Sequence, residues 1–101
     1  MKVILTEPAV KDLKNIASYF TEKVSRKIAL QIVKHIRDHY MRLPKQPYMG
    51  QEEPLLIYRK QGFRYLVEGN YKIIYRVDEA ENKVYVSRIF DCRQEPEKLK
   101  K

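Results

Sequence analysis

Apolar and polar positions follow two rhythms along this chain. In the first half the apolar residues return every three or four positions. Val10, Leu13, Ile16, Ala17, Phe20 and Val24 make one such stripe, the spacing of an amphipathic helix over about residues 7–23. Thr6 stands before it as an N-cap. Glu7 and Pro8 fill its first turn, where an acid complements the helix dipole and the missing proline N–H costs nothing. Ser25 is a second N-cap, and Ile28, Ala29, Ile32, Ile36, Tyr40 and Leu43 carry a second stripe to about residue 43, where Pro44 stops the helix. Only one or two residues separate the two stripes, so the helices form an antiparallel hairpin facing one core. Ahead of them, residues 2–5 (KVIL) read as a short strand.

The second half changes period. Residues 44–62 hold three prolines and two glycines and read as a long loop, with LLIYRK inside it as a weak strand or an irregular edge. From Phe63 the alternation has period two. Phe63, Tyr65 and Val67 fall on one face of a strand, and Arg64, Leu66 and Glu68 on the other. Gly69-Asn70 supplies a tight reversal. Residues 71–78 alternate strongly, with Tyr71, Ile73, Tyr75 and Val77 against Lys72, Ile74 and Arg76. A polar turn at 78–82 leads to a last strand at 83–90, and EPEKLKK after it reads as a fraying tail over 94–101.

The order is β-α-α-β-β-β, an α+β fold. An antiparallel helical hairpin must pack on one face of a mostly antiparallel four-stranded sheet. Tyr71, Ile73, Tyr75 and Val77 are the expected core face, and Tyr65 is expected in the core with them. Lys72 and Arg76 then point to the opposite, open face, and parity is taken to add Arg64. In the last strand Val84 and Val86 compete with Arg88 for the core side. Either a bulge near Ser87-Arg88 turns Ile89 inward and Arg88 outward, or Tyr85, Ser87 and Ile89 face inward. Both leave Arg88 exposed, because an unpaired buried guanidinium is too costly.

Charge sharpens this picture. The chain has 101 residues and a net charge of +8. Residues 1–50 hold ten basic and four acidic residues, and residues 51–101 hold eleven and nine. Five basic residues and one acid lie between Arg59 and Arg76. A locally basic stretch on a basic domain points to a polyanionic partner, nucleic acid or an acidic protein segment. One domain spanning 1–101 is expected from the length. The single Cys92 excludes an internal disulfide. One Cys and two His do not supply four structural zinc ligands. No glycine-rich phosphate loop is present, and no apolar run is long enough for a membrane span. Neither metal nor cofactor is expected, and the chain reads as cytoplasmic, with no signal-peptide pattern in MKVILTEP.

Several residues are weighed singly. His35 and His39 stand at i, i+4, which can chelate a metal, but without a third ligand they read as polar flank residues. Cys92 reads as a free, partly buried cysteine rather than a reactive thiol. Tyr48, Tyr58 and Tyr85 are the tyrosines freest for partner contact.

In element order, in the Leu43-Pro44…Gly50 spacing, in the run Phe63-Arg64…Tyr71-Lys72-Ile73-Ile74-Tyr75-Arg76-Val77, and in the ending Arg88-Ile89-Phe90-Asp91-Cys92-Arg93-Gln94-Glu95-Pro96, the chain resembles the RelE/ParE superfamily. These are toxins of type II toxin–antitoxin (plasmid stabilisation) systems, and the resemblance covers nearly the whole chain. It implies a small basic cytoplasmic toxin with a cognate antitoxin as partner. RelE-like members cleave mRNA in the ribosomal A site, and ParE-like members poison DNA gyrase. The shared fold does not choose between these targets. In the ribonucleases, basic residues of the open sheet face hold the scissile phosphate and stabilise developing charge. Lys72 stands where such enzymes often have Arg, and Arg93 falls near the basic residue after the last strand.

Two departures weigh against an enzyme. Ribonucleolytic members usually carry a Tyr or His near the C-terminus, whereas here the last Tyr is Tyr85 and the last His is His39. Asp91 occupies the position where many relatives have His. A ribonuclease would therefore rely on Lys72, Arg76, Asp91 and Arg93. The resemblance favours the ParE-like branch, with Arg64, Lys72, Arg76, Arg88 and Arg93 as target or nucleic-acid contacts. Exposed edge strands allow either a monomer or a homodimer.

Overall fold

The structure, a computed structural model, describes residues 1–59 and 62–93. The tail at 94–101, expected to fray, and the side chain of Tyr58 lie outside the described residues.

The two-helix reading holds nearly to the residue. Strand β1 (Lys2–Leu5) leads into α1 (Glu7–Lys23), and α2 (Arg26–Tyr40) follows after Val24 and Ser25. Both N-caps act as their side chains dictate. The Ala9 N–H donates to Thr6 Oγ1 at 3.4 Å, and the Ile28 N–H donates to Ser25 Oγ at 3.1 Å. Thr6 does more than cap. Its own N–H donates to the Val86 carbonyl, and its hydroxyl reaches the carbonyls of Val86 and Ser87, so the start of α1 is stitched to the last strand. Helix α2 ends at Tyr40, three residues short of the expected end, and the chain turns through Arg42 and Leu43 toward Pro44.

The remaining elements are β2 (Gln51–Glu52), a 3-10 helix (Pro54–Arg59), β3 (Arg64–Glu68), β4 (Tyr71–Asp78) and β5 (Lys83–Asp91). Two corrections follow. Residues 55–59 of LLIYRK lie in the 3-10 helix, not a strand, because Pro54 opens it without an N–H for a ladder. The sheet has five strands rather than four, since Gln51 and Glu52 pair with Tyr65 and Arg64. Its order is β1-β5-β4-β3-β2, with β1 parallel to β5 and every other pair antiparallel.

The helices cover one sheet face. There Ile16, Ile36, Tyr40 and Leu43 meet Leu66, Tyr71, Ile73, Tyr75, Val84, Val86 and Ile89. Tyr75 and Ile73 are fully buried, as the alternation predicts. The β4–β5 register slips between Ile74 and Tyr75, where Arg88 pairs with Ile74 but Val86 with Tyr75. Ser87 is thus the extra residue of a bulge. The bulge alternative is the one realised, and it brings Val84, Val86 and Ile89 onto one core side.

The face of β3 is the largest correction. A two-residue turn joins Glu68 to Tyr71, with only Gly69 at positive φ. Glu68 therefore pairs with Tyr71, Leu66 with Ile73, and Arg64 with Tyr75. Directly opposed residues share a face, so Arg64 lies on the helix side. Tyr65 lies on the other, opposite Ile74.

Candidate functional site

Lys72 and Arg76 do occupy the sheet face away from the helices, opposite Phe90 and Tyr85. They lie four residues apart on one strand, roughly 13 Å. At the Lys72 end this face is not open. After β2 the chain crosses to it, and Leu56 and Phe63 pack on Ile74 and Phe90 as a second small core. Ile74, expected on an open face, is fully buried for that reason.

Glu53 sits where the crossing begins and is 1% exposed, the one buried charged residue of the described chain. Its Oε2 lies 3.1 Å from Lys72 Nζ, and its Oε1 accepts the Leu55 N–H at 3.1 Å. Its own N–H donates to the Phe63 carbonyl. The Lys72 ammonium also stands 4.5 Å from the centre of the Tyr65 ring, whose hydroxyl donates to Gln51. Lys72 is therefore spent on fastening the crossing segment to the sheet.

The other basic candidates are also engaged, each in a different place. Arg76 lies 3.9 Å from Asp78, with its guanidinium 4.5 Å from the centre of the Tyr85 ring. Arg64, on the helix side, donates to the Gly50 carbonyl at 2.8 Å and faces the Tyr48 ring at 5.3 Å. Tyr48 in turn donates to Glu79. Arg88 leaves the bulge toward α1. There Asp12 accepts from its Nε at 2.8 Å and its Nη2 at 3.1 Å, and also takes the Ile89 N–H at 2.9 Å. Arg88 is thus half-buried and paired rather than simply exposed. Arg93 closes a two-pronged pair with Asp91, its Nε at 3.0 Å and Nη2 at 2.8 Å.

Chemically, four of these five cations are ion-paired, and Arg64 is tied to a backbone carbonyl. Electrostatic catalysis at a phosphate needs several donors converging on one point, and these five residues do not converge. Bonding to Arg93 holds the Asp91 carboxyl below the usual carboxylate range, so at neutral pH it has no proton to give. Cys92 is exposed rather than partly buried, and the desolvation it does feel pushes its thiol up, away from a reactive thiolate. The sign of the Asp91 shift makes its stabilisation present above the ordinary carboxylate range and lost as pH falls through its lowered pKa. In an NMR titration, Arg93→Gln is expected to raise the Asp91 midpoint toward that of a free aspartate. An unchanged midpoint would break this assignment.

His39 lines a cleft with His35, Asp38, Arg42 and Glu68. Its Nδ1 lies 3.3 Å from Glu68 Oε1 without hydrogen-bond geometry. Among the described residues no three His, Cys, Asp or Glu side chains are grouped to hold a metal, and no helix is long and apolar enough to cross a membrane.

Asp12 and Glu53, which decide what Arg88 and Lys72 can do, had no signal of their own in the sequence. Asp12 borders an apolar stripe, and Glu53 is the second acid of Gln51-Glu52-Glu53-Pro54.

Comparison with protein families gives a match to the ParE toxin of the type II toxin–antitoxin system, parDE, over residues 3–96. The chain belongs to the ParE toxin family. A search of curated proteins finds no match. Among solved structures, the chromosomal ParDE toxin–antitoxin system from P. aeruginosa is similar, with a TM-score of 0.74 and 22% identity over 90% of this chain and 95% of that one. A YoeB/ParE toxin from Agrobacterium tumefaciens is also similar, with a TM-score of 0.61 and 19% identity over 90% of this chain and 98% of that one. At these identities the likeness is one of fold. As a ParE-family toxin the chain is one half of a toxin–antitoxin pair, with a cognate antitoxin as its partner.

Proposed function

We propose that this ParE-family toxin arrests growth in the cytoplasm by binding DNA gyrase, and that its antitoxin relieves the arrest by covering it. The observation that carries this reading is the pairing of the sheet cations. Lys72 is held by the buried Glu53, Arg88 by Asp12 and Arg93 by Asp91. A ribosome-dependent ribonuclease would need the same cations free to meet a phosphate. A binding inhibitor needs only a rigid, correctly shaped surface, and these pairs supply rigidity. Arg93 keeps the most access to solvent of these paired cations, and Arg76 is more open than Lys72 on the same face, so these two are the proposed target contacts.

The direct test of the competing ribonuclease reading is to map mRNA 5′ ends on translating ribosomes with and without the purified toxin. Messages are expected to stay intact. Codon-phased cleavage, lost in Lys72→Ala or Arg93→Ala, would replace this proposal with a RelE-like one.

A further inference from the structure

The fold treats its two sets of cations differently. On the sheet strands Lys72, Arg76, Lys83 and Arg88 are ion-paired within the chain. On the helical hairpin Lys34 alone is, among the described residues. Residues 7–45 carry nine basic and four acidic residues. Of those acids, Asp12 is taken by Arg88 and Asp38 by Lys34. Arg26, Lys27, Arg37 and Arg42 of α2 and the turn after it are exposed, and none forms an ion pair among the described residues. The surplus charge of the protein is therefore displayed on its helical side, opposite the sheet face to which sequence parity assigns it.

Arg37, in the last turn, complements the helix dipole, but the cations at the start of α2 do not serve the helix itself. Arg26 and Lys27 stand in the first turn of α2, which holds no acid. The dipole there disfavours positive charge by a few tenths of a kcal/mol or more per residue, typically ~0.3–1. A local choice that opposes helix stability without a packing gain calls for another role.

We propose that the solvent face of α2 is a docking surface for duplex DNA, held by its phosphates and without sequence readout. Lys27 and Arg37 are ten residues apart, about 15 Å along a helix. The major groove of B-DNA is about 12 Å wide. The two ends of the stripe are therefore far enough apart to reach the phosphate backbones on either side of one groove. An A-form RNA duplex presents a deep, narrow major groove instead.

An acidic amphipathic helix from a protein partner suits the face less well. It would need apolar anchors one turn apart. The large apolar residues exposed on this face are Leu30 and, just past the helix, Met41. They are separated by eleven positions, roughly 16 Å at helical rise. Isolated exposed apolar side chains are ordinary.

This inference is independent of the gyrase reading and is tested with DNA alone. Purified toxin is titrated against a fluorescent 20-base-pair duplex across a salt series, followed by anisotropy. Lys27→Gln/Arg37→Gln removes two exposed charges. Lys2→Gln/Lys83→Gln removes two from the sheet side and serves as the control of equal net charge. The hairpin variant is expected to lose at least tenfold in affinity at 50 mM salt and to flatten the log–log salt slope by about 1.8, the share of two phosphates. The control is expected to keep the larger part of both. Equal losses in the two variants, or no binding by the native toxin, would overturn the proposal. So would tighter binding of an acidic helical peptide that the hairpin variant abolishes, since the face would then belong to a protein. Circular dichroism of both variants separates lost contact from lost fold.

Discussion

Glu53→Ala is expected to cost about 3 kcal/mol of folding stability, read as a drop in urea midpoint at unchanged slope. Three connections fail together. Lys72 loses the carboxylate at 3.1 Å, the Leu55 N–H loses its acceptor, and the crossing segment loses its tie to the sheet. Removing one partner of a buried pair costs about 3–5 kcal/mol because the other charge stays behind. The lower end applies here, since the Lys72 side chain keeps 23% exposure and can turn to water. The Glu53→Ala/Lys72→Met double variant is expected to recover much of the loss, because no orphan charge remains. A single variant within 0.5 kcal/mol of the native protein would show that the pair fastens nothing.

Gly50→Ala is expected to cost a similar amount, about 3 kcal/mol, at the upper end of the ordinary range for overpacking. Here the issue is space rather than backbone freedom. An added Cβ would lie 2.6 Å from the Tyr65 carbonyl oxygen and 2.6 Å from the Tyr75 hydroxyl. The first is sheet backbone, and the second belongs to a side chain with no exposed surface, so neither can step aside. The same shift would pull the Gly50 N–H from the Tyr75 hydroxyl, now at 2.9 Å, and the carbonyl from Arg64. Tyr75→Phe, which removes the hydroxyl alone, is expected to cost only about 1 kcal/mol. The diagnostic result is the gap between these variants. Equal costs would mean that the hydrogen bond, not the close approach, constrains Gly50.

What could be read from the chain divides along the range of the forces involved. Helix α1 was legible to both ends because its signals are local: a cap at Thr6, an acid and a proline in the first turn, and a continuous stripe. Strand β4 was legible because its alternation is unbroken. The bulge at Ser87 was one of two resolutions of a conflict visible in one strand, where Val84 and Val86 could not share a face with Arg88.

The misreadings arose where one segment meets another far away. Tyr65 and Arg64 exchanged faces because pairing depends on the sum of two positions across a turn, not on either strand alone. The open basic face was half lost because Leu56 and Phe63 fold back over Ile74 and Phe90. The site suffered most. Its five cations were visible, but for two of them the neutralising acid comes from another element, as Asp12 lies seventy-six residues from Arg88 and Glu53 nineteen from Lys72. Helix α2 poses the reverse case. Its apolar stripe predicts the helix, whereas its basic outer face carries no signal of its own, because a charged solvent face is ordinary.

The measurement that bears most directly on the central reading is a supercoiling assay with purified DNA gyrase, relaxed plasmid and increasing toxin. The account predicts dose-dependent loss of supercoiling, and its reversal by the cognate antitoxin. Full supercoiling at toxin concentrations that arrest growth in cells would contradict it.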